Sequence, residues 1–160
     1  MTQFYIVYPG LGKTTLALAN TKFIDAEARV FKDAELAPYI GKIEYPNVRG
    51  IPVKDKNPDY PDNYFDFVQT AVQHGKTILL VPKQDSYDLF SALNIKDYVW
   101  ILPNTGKIEQ MRAEQSARGD DPEYIENNLT KRYTKVVDMA KKSGKEIIFL
   151  KPDQYLSDIL

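Results

Sequence analysis

Apolar positions along the chain alternate between two periods. Residues 3–8, QFYIVY, form a β-branched and aromatic run that Pro9-Gly10 ends, which predicts a buried strand entering a turn. The following TTLALAN is a good helix former ending near Asn20, and residues 22–27, KFIDAE, read as a second strand with acids at its carboxyl end. Residues 28–60 break the pattern with four prolines and two glycines, predicting a short helix around 32–40 and then an irregular excursion.

Periodicity returns at Pro61, which opens a predicted helix as its first residue. Tyr64, Phe65, Val68, Ala71 and Val72 fall on one face, and Gly75 closes it. Residues 76–82, KTILLVP, are nearly continuous apolar sequence, as a central parallel strand requires. A helix over 85–93 follows, with Asp85 or Ser86 as its cap. Residues 97–103, DYVWILP, predict another buried strand, so Trp100 reads as core. A helix over 105–117 stops at RGDDP, and Pro122 starts a long helix that Gly144 ends. Its stripe is Ile125, Leu129, Tyr133, Val136, Val137 and Ala140. Residues 146–150, EIIFL, form the last strand, before a terminal turn or short helix.

Strands separated by helices predict an α/β fold, with about five parallel strands and helices on both faces. The 160 residues suit one domain. The absence of cysteine excludes a disulfide scaffold and a thiolate metal site. A single histidine, His74, argues against a histidine-rich metal site or a Ser-His-Asp triad; beside Gly75 it reads as a charge partner for a helix end. The net charge of -1 gives no whole-chain case for duplex DNA binding, yet leaves room for a local basic cleft. No apolar run approaches a membrane span and no basic region precedes the first one, so the expected location is the cytoplasm.

Candidate chemistry concentrates at the first strand–helix turn, VYPGLGKTT (7–15). Against the pattern G-x-x-x-x-G-K-[ST], Gly12-Lys13-Thr14 match and Val7 replaces the first glycine. Gly10 and Gly12 can turn amides inward toward phosphate oxygens, so Pro9, Gly10, Leu11, Gly12, Lys13, Thr14 and Thr15 are the expected nucleotide-binding residues. Lys13 would reach the outer phosphates of ATP, Thr14 would ligate Mg²⁺, and the following helix adds its positive end. Val7 then reads as the last residue of the strand. The competing reading is a glycine-rich turn with a surface lysine.

With the loop so placed, the chain resembles P-loop kinases of the nucleoside-monophosphate-kinase type. Within that type it resembles small phage-associated P-loop proteins, a group that includes proteins assigned as nucleotide kinases or as kinases of hydroxymethylated bases in phage DNA. The features carrying the likeness are YPGLGKT, DAE (25–27), NPDYPDNY (57–64) and RGD (118–120), in that order. The resemblance implies a three-layer P-loop NTPase fold, ATP and Mg²⁺, and an acceptor that is a nucleotide or a modified nucleotide in DNA. If phage-encoded, the protein would work in the host cytoplasm. One departure leaves the acceptor open: Ala28 and Arg29 stand where that group commonly has serines.

Asp25, at the end of the second strand, is the candidate to orient an acceptor hydroxyl or take its proton, with Glu27 pointing the same way. The third strand ends without an aspartate, which favours a kinase over an ATPase motor. Residues 105–121 stand where such kinases have a lid, so Arg112 and Arg118 are candidate phosphate clamps. Both reach one site only if the helix breaks between them. In the acceptor-side excursion, Arg29, Arg49, Lys54, Lys56 and Asn57 could hold a phosphate, and Tyr60 or Tyr64 could stack on a base. Lys83, just past the third strand, is placed where it could face the cleft, though the default for it, as for Lys131 and Arg132, is a solvated side chain. Two other classes compete with the kinase: a non-catalytic nucleotide-binding accessory protein of a phage or mobile element, and a scaffold that binds no nucleotide.

Overall fold

The computed structural model describes residues 2–48 and 50–160. Five strands, β1 (Phe4–Val7), β2 (Phe23–Asp25), β3 (Thr77–Leu80), β4 (Val99–Pro103) and β5 (Ile147–Leu150), form one sheet in the order β2-β3-β1-β4-β5. Every neighbouring pair is parallel. Around it pack α1 (Lys13–Ala19), α2 (Arg29–Lys32), α3 (Asp62–Gln73), α4 (Gln84–Leu93), α5 (Thr105–Ala117), α6 (Pro122–Ile125) and α7 (Arg132–Ser143), giving the expected three-layer α/β architecture.

The strand order positions the site. From β1 the chain runs to β2 at one edge, whereas from β4 it runs to β5 at the other. The carboxyl ends of adjacent β1 and β4 therefore border a crevice that neither connection covers, where open α/β sheets bind ligands. Strands β3 and β4 are buried along their whole length, which is why they read as continuous apolar runs. Trp100 is core, as expected, and its indole N–H donates to Ser143 Oγ at 3.0 Å.

Val7 belongs to the sheet. It is fully buried, opposite Ile101, and the next amide, of Tyr8, still donates to the Ile101 carbonyl at 2.9 Å. The long C-terminal helix is helical from Pro122 to Ser143, with a π-helical stretch over Glu126–Lys131 between α6 and α7. Asp121 caps it by accepting from the Glu123 amide at 2.8 Å, and Gly144, at φ +71°, ends it.

Several local expectations need correction. The helix predicted over 32–40 is two pieces, α2 and a 3-10 helix over Ala34–Tyr39, because Asp33 leaves helical geometry and caps the second piece through the Glu35 amide at 3.0 Å. Pro61 occupies the cap position of α3 instead of its first turn. Neither Asp85 nor Ser86 caps α4: the helix begins at Gln84, Ser86 Oγ donates to the Val81 carbonyl at 2.6 Å, and Asp85 accepts from the Lys32 and Tyr60 side chains. Among the described residues, no helix is long and apolar enough to cross a membrane.

Candidate phosphate-binding cleft

The turn after β1 needs its glycines. Gly10 and Gly12 adopt φ of +89° and +94°, a region that side chains with a Cβ rarely occupy. A Cβ on Gly10 would also stand 3.1 Å from Met111 Cε of α5. Leu11 between them turns inward and is fully buried, and its carbonyl accepts from the Leu156 amide at 3.3 Å. The loop is thus braced from behind by the chain terminus. Tyr155 packs within 4 Å of the Gly12 Cβ position, and the buried Lys107 places its ammonium 4.1 Å from the Tyr155 ring centroid. Gln110 and Asp153 join α5 to the same segment by hydrogen bonds of 2.6 and 3.1 Å.

In front of the loop opens a cleft of about 900 Å³. Pro9, Gly10, Gly12, Lys13, Thr14 and Thr15 line one wall. Arg29, Lys32, Lys83, Arg118 and Arg132 converge on it from four other segments of the chain. Among the described residues, six cationic side chains, Lys13 included, face two acids, Glu27 and Asp85. This excess of four positive charges lies within a chain whose net charge is -1. Such focusing in a cleft raises the local concentration of anions.

Asp25 stands just behind the loop: its carboxylate accepts from the Thr14 hydroxyl at 3.0 Å. It does not itself line the cleft, whereas Glu27 does. Arg29 lines the cleft with its guanidinium already engaged, by Asp33 at 3.1 and 3.2 Å and by the Ile51 carbonyl at 2.5 Å. It therefore ties the 45–53 loop to α2. Lys32 pairs with Asp85 at 3.2 Å, and the Tyr60 hydroxyl donates to the same carboxylate at 2.6 Å. Burial first, and then the Asp85 contact, hold the Tyr60 phenol well above its ordinary pKa.

The remaining expected site residues divide clearly. Arg118 reaches the cleft from just beyond α5, its Nε bonded to Asp120 at 2.9 Å. Arg112 does not line the cleft. Helix α5 runs unbroken to Ala117, so Arg112 points elsewhere, paired with Glu109 and donating to Thr130 Oγ1 at 2.5 Å. Asn57 is a turn residue whose Oδ1 accepts from the Asp59 amide at 3.0 Å; neither it nor Tyr60 is among the cleft-lining residues. Lys56 forms an isolated bridge with Asp33, and exposed Lys54 lies outside the lining. Tyr64 has no free face for a base: it is fully buried and donates to the Ala26 carbonyl at 2.9 Å. His74 terminates α3, with Nδ1 2.8 Å from the Thr70 carbonyl. Arg49 lies outside the described residues.

Two cleft cations, Lys83 and Arg132, had read by default as solvated. Arg132 follows the π-helical stretch, and Tyr124, Asn128 and Arg132, at intervals of four, all line the cleft. That interval was visible in the sequence, but the apolar stripe on the neighbouring face dominated the helical reading. Lys32 and Lys107 carried no local signal at all. Gln115 Oε1, beside the cleft, is a buried oxygen without a hydrogen-bond partner among the described residues. A bound N–H group would satisfy it.

No protein-family model matches this chain, and no curated protein matches it either.

Proposed function

We propose that this chain is a magnesium-dependent P-loop kinase, transferring the terminal phosphoryl group of ATP to a nucleotide or to a modified nucleotide unit in DNA. The observation that carries this reading is the convergence of six cations on a glycine-turned loop bearing Lys13 and Thr14. A triphosphate needs amide donors, a cation for its outer phosphates and a hydroxyl for its metal, and all three groups border one cleft.

Lys13 steadies the transferring phosphoryl, while Arg118 and Arg132 are available to offset charge from the opposite wall. The Thr14 hydroxyl, which donates to Asp25 at 3.0 Å, is a hard oxygen donor of the type Mg²⁺ prefers and would hold it, and Mg²⁺ needs few protein ligands because it retains water. When bound, the metal supplies charge neutralisation at the phosphates. Asp25 orients the acceptor and takes its proton. The acceptor oxygen forms its bond to the terminal phosphorus as the bond to the bridging oxygen breaks, and the nucleoside diphosphate departs.

A thermal-shift series with Mg²⁺ and nucleoside triphosphates tests the binding step. Stabilisation of the wild type and none of Lys13→Ala is the expected result; equal shifts in both would overturn it. One observation favours a second reading, a nucleotide-binding accessory protein without turnover: Asp25 lies behind Thr14 and outside the cleft lining. Nucleotide binding by calorimetry with no ATP consumed, whatever acceptor is added, would select that reading.

A further inference from the structure

Outside edge strand β2 lies a second cavity of about 190 Å³, several times the roughly 30 Å³ that one water occupies. Phe23, Phe31, Tyr39, Tyr45 and Phe67 wall it, and the rings of Phe31 and Phe67 are 5.2 Å apart. Its charged groups are segregated. Asp25 and Glu27 stand at the carboxyl end of β2, beside the phosphate loop. Lys76 stands at the other end, next to Thr77, which pairs with Phe23, and its Nζ donates to the Thr21 carbonyl at 2.9 Å. Lys42 is on the exposed rim.

The cavity adjoins the cleft. Glu27 and Tyr45 line both spaces, and Asp25, which lines this one, accepts from Thr14 of the other. A group seated here would abut the phosphate loop without competing for the cations that face the cleft.

We propose that this cavity receives an uncharged planar nitrogen heterocycle of the acceptor, one that presents amino or imino N–H donors to Glu27. The inference rests on reading the cleft as a phosphotransferase site. Aromatic walls favour a flat ring, which buries both faces at little conformational cost. The acidic end chooses the edge, because a carboxylate only accepts hydrogen bonds and repels a carbonyl-flanked edge. Failing to pair a buried polar group is costly, so one donor placed correctly discriminates strongly.

The test is an amide chemical-shift titration of the ¹⁵N-labelled full chain. The probes are the four 2′-deoxynucleosides, followed by a non-hydrolysable ATP analogue with Mg²⁺. The expected result is that deoxyguanosine, deoxycytidine and deoxyadenosine, each with an exocyclic amino group, shift the amides of residues 23–25 and 39–45, with thymidine at least about fivefold weaker. In Glu27→Gln, which keeps the shape and removes the charge, that preference narrows. Thymidine binding to the wild type as tightly as deoxycytidine would overturn the proposal. So would a complete absence of nucleoside shifts while the ATP analogue moves residues 10–15, an outcome that leaves the cleft reading intact. Nucleoside shifts without any response to the ATP analogue would support the ring site and overturn the phosphotransferase reading.

Discussion

The two sides of the cleft are built on different principles. On the donor side, a short glycine loop leaves a central buried strand and is braced by α5 and the chain terminus, with Leu11 fully buried beneath it. On the opposite side, which the proposed function makes the acceptor side, the described residues between Gly41 and Asn57 form no helix or named strand. They are tied back by Arg29 to the Ile51 carbonyl, by the bridge of Asp33 with Lys56, and by Tyr45 and Val48 against the core. The first arrangement fixes the loop backbone through two positive-φ glycines and a buried leucine. The second holds irregular backbone through side-chain packing and a few hydrogen bonds. Under the proposed function the contrast has a reason: phosphates are alike in every nucleotide and suit a rigid site, whereas an acceptor is particular and its site would draw on loop chemistry.

The largest expected effect breaks the donor side. Lys13→Ala removes the charge nearest the outer phosphates and should weaken nucleotide binding by about a hundredfold, roughly 2.7 kcal/mol. Calorimetric titration with a triphosphate and Mg²⁺ reads this directly, and the unliganded melting temperature should not move. Gly10→Ala attacks the same side through its backbone. A Cβ at φ +89°, and 3.1 Å from Met111 Cε, should cost about 1–2 kcal/mol in urea unfolding.

Arginine replacements sharpen the comparison. Arg132→Ala, in the cleft, should weaken triphosphate binding by about tenfold, roughly 1.4 kcal/mol. Arg112→Ala, outside the cleft and paired with Glu109 and Thr130, should leave affinity unchanged. Equal losses in the two variants would mean that α5 turns its other face to the ligand.

The smallest effect is a pH dependence. Tyr8, buried beneath the loop and packed edge-on against Tyr133, has its phenol pushed up to about 12, chiefly by burial. A raised folded-state pKa stabilises fully below pH 10, the ordinary value, and that contribution is lost as the pH rises toward about 12. At pH 10 the loss from this group is about 0.4 kcal/mol. Urea unfolding between pH 9 and 11 should therefore show a shallower decline in Tyr8→Phe than in the wild type.

Much of the donor side was legible along the chain. The β-branched run, the glycine turn and the helix after it announce themselves locally, and Val7 reads as strand because burial continues through it. Helix α5 and the whole rod from Pro122 to Ser143 were legible for the same reason, with Pro, Asp and Gly marking their ends. The acceptor side was not. Tyr64 is the clearest case: an aromatic in a proline-rich segment looks available, yet its hydroxyl reaches back to the Ala26 carbonyl and its ring is core.

By itself, then, the sequence determined the alternation of strands and helices, the glycine turn between the first strand and its helix, and the central core, because each depends on neighbours within a few residues. Only the tertiary structure decided which cations share the cleft. Lys32, Lys83 and Arg132 come from segments up to a hundred residues apart, and their meeting follows from the crossing of strand connections around β1. It likewise decided that Arg112 is excluded while Arg118 is admitted, since an unbroken helix can turn only one of its faces to the cleft.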